Sequence, residues 1–277
     1  MNLIIQSPHS ISTTYLNRIA GLTTATRIEQ IAANSYRLHD AKPHDAVATF
    51  CQDHQLDYGF VRPGQHLSDF GLVVMDMDST LINIECLDEI ADLVNLKPQV
   101  AAITAAAMRG EMDFGESLRR RVALLAGVNE SALQQVYDQR LQLNPGADTL
   151  LKKLKELGIK TLLVSGGFMF FTDKLKTRLG LDYAEANTLE ISGGKLTGKV
   201  LGSIIGAQGK ADSLIRIRDQ LQLKAEQVIA IGDGANDLKM MAQAGVSIAY
   251  HAKPVVRSQA SYALNFSGLD GVVNLFA

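Results

Sequence analysis

The sequence predicts an α/β protein: a doubly wound parallel sheet, a helical cap inserted after the first strand of that sheet, and a small α+β domain ahead of it. Three observations carry this prediction. Four apolar runs, "GLVVMD", "KTLLVSGG", "QVIAIGDG" and "AGVSIAY", lie next to glycine, and each is followed by a stretch of helical character. Between Ile84 and Asn144 the pattern is helical throughout. Residues 1–65 instead alternate short apolar strands with amphipathic segments.

Along the first region, "NLIIQ" reads as a strand and "ISTTYLNRIAGLT" as a helix opened by Ser10. "TRIEQIAANSYRLHD" reads as paired strand material, "PHDAVATFCQDH" as a helix and "DYGFVRP" as a last strand. The order βαββαβ is the ferredoxin-like pattern. "RPGQHLSD", Arg62–Asp69, carries Pro, Gly and polar residues between apolar segments and reads as a linker. The domain division follows: residues 1–65, then residues 66–277 with a cap at about 84–144.

From Gly71 onward, continuous apolar strands alternate with helices, the signature of a parallel sheet covered on both faces. Ligands of such sheets sit at the carboxyl ends of the strands. Here those ends read Asp76–Asp78, Ser165–Gly167 and Asp233–Asp237, so the distinctive polar residues fall on one rim. The helical insertion, with segments such as "CLDEIADLV" and "FGESLRRRVALLAG", enters at that rim and is placed to act as a lid. A bundle that only adds bulk would occupy the same position. "NTLEISGGKLTGKVLG" reads as a hairpin turning at Gly193–Gly194.

Composition narrows the function classes. With 27 basic and 29 acidic residues, the net charge of −2 argues against a surface that coats nucleic acid, local basic patches aside. No apolar run approaches the roughly 18–20 residues that cross a bilayer, and "MNLIIQSPHS" lacks the features of a signal peptide. Cys51 and Cys86 lie far apart and form no metal-type pair, so they read as reduced, buried thiols of a cytoplasmic protein.

The rim residues define a chemistry. Asp76 and Asp78 close a buried apolar run two residues apart, on one face, where like charges repel unless a cation offsets them. A carboxylate such as Asp76 serves as a nucleophile in enzymes that form aspartyl phosphates. Asp233 brings a third carboxylate, and hard oxygen donors without His or Cys fit Mg²⁺. "VSGGF" offers the Ser165 hydroxyl and backbone N–H groups at a strand-to-helix turn, suited to an anion. Lys210 supplies positive charge for a phosphoryl group. Singly, each has a plainer reading: Ser165 a tight turn, Lys210 a solvated lysine, Asp237 a first-turn helix residue, Met108 and Phe114 helix packing. Together, and all at strand ends, they point to a site.

"DMDSTL", "VSGG", Lys210 and "GDGAND" resemble the four motifs of the haloacid dehalogenase superfamily, and the insertion resembles its first class of cap. Within it, "NIECLDEIA", "AMRGEMDFGESLRRRVALL" and "VSGGFMFFTDKLKTRLGLDYAEAN" resemble the phosphoserine phosphatase family over about residues 70–270. The resemblance implies Mg²⁺-dependent hydrolysis of O-phospho-L-serine to L-serine and phosphate, the last step of serine biosynthesis, through an aspartyl-phosphate intermediate. It makes Asp76 the nucleophile and Asp78 the general acid/base. It assigns Mg²⁺ to Asp76, Asp233 and the backbone carbonyl of Asp78. Ser165, Gly166 and Lys210 then hold the phosphoryl group, with Asn236 and Asp237 completing the polar shell. In the cap, Glu85 meets the substrate ammonium, Arg121 its carboxylate, and Met108 and Phe114 flank its side chain. Arg119 and Arg120 compete for the carboxylate on sequence grounds, and only the resemblance selects Arg121.

Residues 1–62 follow the strand–helix order of regulatory ACT-type domains found in some members of that family, although they are short for it and carry no amino-acid-binding motif. Serine sensing, dimerisation or a vestige of either remain open. Exposed edge strands of such small sheets pair readily, which favours a homodimer.

Overall fold

The computed structural model describes all 277 residues. The chain opens with β1 (Asn2–Gln6), α1 (Thr13–Thr23), β2 (Arg27–Ala32), β3 (Ser35–His39), α2 (Ala46–Asp53) and β4 (Asp57–Val61), the expected βαββαβ order. These strands form an antiparallel sheet in the order β2-β3-β1-β4. Alternation along β1 explains how it docks. Leu3 and Ile5 pack under α1 and α2 with Leu16, Ile19 and Val47, whereas Ile4 faces the opposite way into the main core. Helix α1 is capped by Ser12, whose side chain accepts from the Thr14 N–H, and not by Ser10. Ile11 is buried ahead of it, so the helix starts at the first hydroxyl past that anchor.

The second unit follows with β5 (Leu72–Met75), α3 (Cys86–Leu93), α4 (Lys97–Met108), α5 (Phe114–Ala123), α6 (Ser131–Gln139), α7 (Ala147–Glu156) and β6 (Lys160–Phe168). Then come α8 (Met169–Leu179), β7 (Tyr183–Ser192), β8 (Lys195–Leu201), α9 (Ala207–Gln220) and β9 (Val228–Gly232). The chain ends through α10 (Leu238–Met241), β10 (Val246–Tyr250), α11 (Pro254–Arg257), β11 (Tyr262–Leu264) and α12 (Gly271–Leu275). The sheet runs β11-β10-β9-β5-β6-β7-β8, parallel except for the β7–β8 hairpin. Strands β5 and β9 are buried along their whole length, as strands covered on both faces must be. The short edge strand β11 carries only three residues and had no sequence signal of its own.

Helices α3 to α6 form the inserted cap. Its neck is two antiparallel segments: Ile82 bridges Leu143, and the Asn83 and Asn144 N–H groups donate to the carbonyls of Gln142 and Leu81. The turn of the β7–β8 hairpin, Gly193–Gly194, has positive φ at both residues, as a two-residue hairpin turn demands. That hairpin also holds the cap, because Gly127 and Glu130 donate to the Leu196 and Gly194 carbonyls.

The N-terminal sheet is fastened to the rest of the chain. Asp57, 1% exposed, accepts from three successive N–H groups, those of Asn265, Phe266 and Ser267. Buried Gln6 bonds the Gly271 carbonyl and the Asn274 side chain. Between them, the segment read as a linker is anchored as well: Leu67 is buried and its N–H donates to Phe276.

Candidate active site

The carboxyl ends of β5, β6 and β9 and the underside of the cap enclose a cavity of about 500 Å³. From the sheet side it is lined by Asp76, Asp78, Ser165, Gly166, Lys210, Asp233 and Asn236. From the cap it is lined by Glu85, Met108, Phe114 and Arg121. Asp237 alone of the residues singled out stands behind the wall, fully buried.

The first strand ends earlier than the sequence pattern implies. β5 stops at Met75, and Asp76 caps a single wide turn over Met77–Leu81. Asp76 and Asp78 nevertheless keep extended backbone, at φ −66° and ψ 159° and 133°. Both therefore line the cavity, two residues apart, as the alternation anticipates. Ser79 follows with φ 56°, a left-handed conformation that a side chain adopts at a cost, and its hydroxyl donates to Glu85 at 2.7 Å. The strained turn thus aims a cap residue at the catalytic rim.

Electrostatics at the floor are dominated by crowding. Lys210, 1% exposed, places its ammonium 2.6 Å from Asp76 Oδ1 and 2.7 Å from Asp237 Oδ1. Burial opposes its charge, but Asp237 and Asp76 outweigh that and hold the proton on it. Asp237 has a second task, accepting from the Gly234 N–H at 3.1 Å. Gly232 is required there, since a β-carbon would come within 2.6 Å of the Asp237 side chain. Burial, then the Asp237 charge, push the Asp76 carboxyl well up, with Lys210 pulling it back. The same two causes raise Asp233 to about 6. Asp78 is pushed up to about 7 by burial and then by Glu85, and its buried Oδ1 has no hydrogen-bond partner.

Oxygens of Asp76, Asp233 and Asp237 all lie within 4.8 Å of one another. Three carboxylates facing one ammonium leave two negative charges uncompensated, and the donors are all oxygen. That set fits a hard divalent cation. Asp237 is already engaged by Lys210 and Gly234, so Asp76 and Asp233 are the carboxylates with oxygens free for it.

The glycines of "VSGGF" do not form a strand-to-helix turn. β6 continues through them to Phe168 with a register shift after Val164. Ser165 is buried and its oxygen accepts from the Gly167 N–H at 2.8 Å, a small local loop inside the strand. Gly166 and Gly206 give room for the Phe114 ring, which a β-carbon at either would approach to 2.9 Å. Phe114 thereby seats the cap on the sheet. Met108 is 72% exposed at the cap's edge. Of the three consecutive arginines only Arg121 lines the cavity; Arg119 and Arg120 are exposed, and Arg120 pairs with Glu116. Burial lowers the Arg121 pKa, opposed by Asp88, Glu85 and Asp78.

Over residues 70–245 the sequence matches the haloacid dehalogenase-like hydrolase family, and residues 3–47 match a domain family of unknown function. It is 54% identical over 218 residues to the phosphoserine phosphatase of Polaromonas sp. strain JS666, spanning 77% of this chain and 92% of that one. The chain belongs to the phosphoserine phosphatase family of haloacid dehalogenase-like hydrolases. Its fold agrees with the family's. The unliganded probable phosphoserine phosphatase of Vibrio cholerae superposes with TM-score 0.87 at 39% identity, covering 99% of this chain and 85% of that one. A phospho-aspartyl intermediate analogue of a phosphoserine phosphatase superposes with TM-score 0.70 at 37% identity, covering 75% and 99%.

Several residues at the site escaped the sequence reading. Thr80 is fully buried and donates to Asp233 Oδ1 at 3.1 Å, and Asn144 in turn bonds the Thr80 carbonyl. Lys253, beside α11, lines the cavity mouth. The hydroxyl step of "DST" was the signal for Thr80, because a buried threonine next to a carboxylate pair needs an acceptor. Lys253 carries no such mark.

Proposed function

We propose that this protein hydrolyses O-phospho-L-serine to L-serine and phosphate through an aspartyl phosphate on Asp76. The observation that carries this reading is the cavity's two-sided charge. Asp76, Asp78 and Lys210 stand on its floor, and Glu85 and Arg121 in its roof, matching a substrate with phosphate at one end and ammonium and carboxylate at the other.

Asp76 and Asp233, with the Asp78 backbone carbonyl, would hold Mg²⁺. When bound, the ion neutralises the carboxylates and the phosphoryl oxygens so that like charges approach. Asp76, oriented through Oδ1 by the Lys210 ammonium and the Met77 N–H, attacks phosphorus. The bond from phosphorus to the seryl oxygen breaks, and Asp78, protonated below about pH 7, gives its proton to that oxygen. A water then attacks the aspartyl phosphate, Asp78 takes its proton, and phosphate leaves Asp76 free. General acid–base help of this kind is worth roughly 10²–10⁴ in rate. Ser165, Gly166 and Asn236 surround the phosphoryl group with neutral donors.

At the other end, Arg121 presents a planar fork to the carboxylate, Glu85 takes the ammonium, and Phe114 and Met108 bound the short methylene. The cap at about residues 84–144 acts as a lid pivoting on its two-segment neck. Residues 1–65 form a domain of their own beside the catalytic residues 66–277. We assign that domain to dimerisation, through β2, the edge strand of its sheet away from β4; light scattering of the purified protein tests it. The chain has no helix long and apolar enough to cross a membrane, and we place its work on a small metabolite in the cytoplasm.

Phosphate release from a panel of phosphomonoesters with Mg²⁺, with and without added alcohol acceptors, tests the reading. Preference for O-phospho-L-serine, with water as the acceptor, is expected. Equal rates on phosphomonoesters lacking the amino-acid head would overturn it.

A further inference from the structure

A second cleft, separate from the catalytic cavity, lies where the N-terminal sheet meets the core. It holds about 600 Å³ between α2 and β4 on one side and α11 and β11 on the other. Strands β4 and β11 are both edge strands, and no backbone hydrogen bond joins them. Side-chain packing joins them instead: the Tyr262 ring lies against Gly59, and its hydroxyl donates to the Phe60 carbonyl at 3.4 Å. Beside this contact the junction widens into the cleft, lined from both sides.

Its lining has a definite chemistry. Leu56, Tyr58 and Phe60 face Ala260, Tyr262 and Ala263, giving apolar and aromatic walls. One charged side chain lines it, Arg257. Arg257 is half-buried, lies within ion-pair distance of no carboxylate, and makes one bond, to Asn265 Oδ1 at 3.3 Å. Asp57, the nearest acidic residue of β4, has its oxygens engaged by backbone N–H groups. Half-buried Tyr58, whose hydroxyl makes no hydrogen bond inside the protein, and exposed Gln52 also line the cleft. A guanidinium drawn partly out of water without a counter-charge is unfavourable, and its planar fork matches a carboxylate. One such anion neutralises the cleft; a phosphate dianion would leave it negative.

The cleft also touches the catalytic cavity through α11. Pro254 and Arg257 of this four-residue helix line the cleft, while Lys253, just before it, lines the catalytic cavity. The Lys253 N–H donates to the carbonyl of Asp233 at 3.3 Å. A ligand that pulls Arg257 therefore loads a four-residue helix whose preceding residue is bonded to the Asp233 carbonyl.

We propose that this cleft is a second ligand site, for a small organic carboxylate with an aromatic or branched apolar body, and that α11 couples its occupancy to the catalytic cavity. The probe is para-fluorophenylacetate, followed by fluorine NMR on the full chain with Mg²⁺ and saturating inorganic phosphate, which fills the catalytic cavity. Saturable binding is expected, weakened about tenfold or more in Arg257→Gln, which removes the charged partner. Ala48→Leu, an exposed position on the opposite wall, should block the cleft without disturbing the core. Absence of saturable binding, equal binding of the uncharged para-fluorophenylacetamide, displacement by phosphate, or wild-type affinity in both variants would overturn the site. Without phosphate, saturating probe should change kcat/KM for p-nitrophenyl phosphate by about twofold or more in the wild type, and leave Arg257→Gln unmoved. Unchanged kinetics in a wild-type protein that binds the probe would remove the coupling.

Discussion

Lys210 Nζ lies 2.6 Å from Asp76 Oδ1, and the same nitrogen lies 2.7 Å from Asp237 Oδ1. An ammonium has three donors, so two are committed before any substrate arrives and one is left for a phosphoryl oxygen. In the proposed mechanism Lys210 thus holds the nucleophile as much as it binds phosphate. Its attachment to Asp237, locked in turn by Gly234, makes the aim of Asp76 depend on a residue that never reaches the cavity.

Removing the ammonium leaves two buried carboxylates facing each other. Lys210→Met is expected to lose about 3–5 kcal/mol of stability in addition to its activity, because breaking a buried pair strands the partners. Lys210→Met combined with Asp237→Asn should recover part of that stability but no activity. Chemical denaturation of both variants checks this; equal stability of Lys210→Met and wild type would show that the triad holds little together.

The two rim aspartates should separate by kinetics. Asp76→Asn removes one of the crowded charges, so it should fold at least as well as wild type, yet form no base-labile phosphoenzyme and turn over almost nothing. Asp78→Asn keeps the nucleophile but has no proton to exchange, so its phosphoenzyme should persist, by roughly 10²–10⁴ in the second step. Quenching during turnover of an activated ester measures the trapped fraction. A fraction no greater than wild type would rule out Asp78 as the base for water.

Acid and Mg²⁺ should act on the same charges. With folded-state values raised to about 7 for Asp78 and about 6 for Asp233, the metal-free protein takes up protons before the unfolded chain does. Their stabilisation is complete below the unfolded carboxylate range and is lost as pH rises through 6 and then 7. Mg²⁺ offers the alternative neutralisation, so the Tm gain it gives should be largest at about pH 8 and shrink towards about pH 5, where protons compete. Thermal melts with Mg²⁺ and with chelator give that difference directly. A gain independent of pH would place the ion away from these carboxylates.

Asp57 predicts how firmly the N-terminal sheet is attached. Asp57→Ala strands three backbone N–H groups in a buried seam, which should lower stability by at least about 3 kcal/mol. Asp57→Asn, with one acceptor oxygen, should fall between. Proteolysis between the sheet and β5 should accelerate in the alanine variant while kcat on p-nitrophenyl phosphate changes little. A variant as protected as wild type would mean that Gln6 and the Ile4 face hold the junction alone.

What the sequence made legible was whatever repeats at short range. Apolar runs ending at Asp76 and Asp233 mark strand ends, and strand ends of one parallel sheet share a rim, so those carboxylates followed from periodicity, whereas Ser165 lies inside β6, which runs on to Phe168. The cap followed from the unbroken helical pattern. Contacts between distant positions left no local trace. Thr80 and Asp233 stand 153 positions apart, and Asp57 meets Asn265 208 positions away, so neither pairing shows in any window. The start of α1 at Ser12 depended on Ile11 being buried, a tertiary fact. Asp237 looked like a helix-dipole residue because its partner Lys210 belongs to another helix.

In the proposed reading substrate choice rests on the roof, where Arg121 is the one arginine of three that reaches the cavity. Arg121→Ala should raise KM strongly for O-phospho-L-serine, because losing a partly desolvated charge pair typically costs about 2–5 kcal/mol, well over tenfold in kcat/KM. The same change should matter far less for p-nitrophenyl phosphate, which has no carboxylate and still meets Asp76, Asp78 and Lys210. Glu85→Gln should discriminate in the same direction through the ammonium, with an added effect because the Ser79 hydroxyl loses its charged acceptor. Arg119→Ala and Arg120→Ala, both exposed, serve as controls and should leave both substrates alone. The informative quantity is the ratio of the two kcat/KM values before and after mutation, since it cancels any general damage to the catalytic floor. A ratio that Arg121→Ala leaves unchanged would reduce Arg121 to a support for α5 and take the phosphoserine assignment with it, while the aspartyl-phosphate chemistry stood.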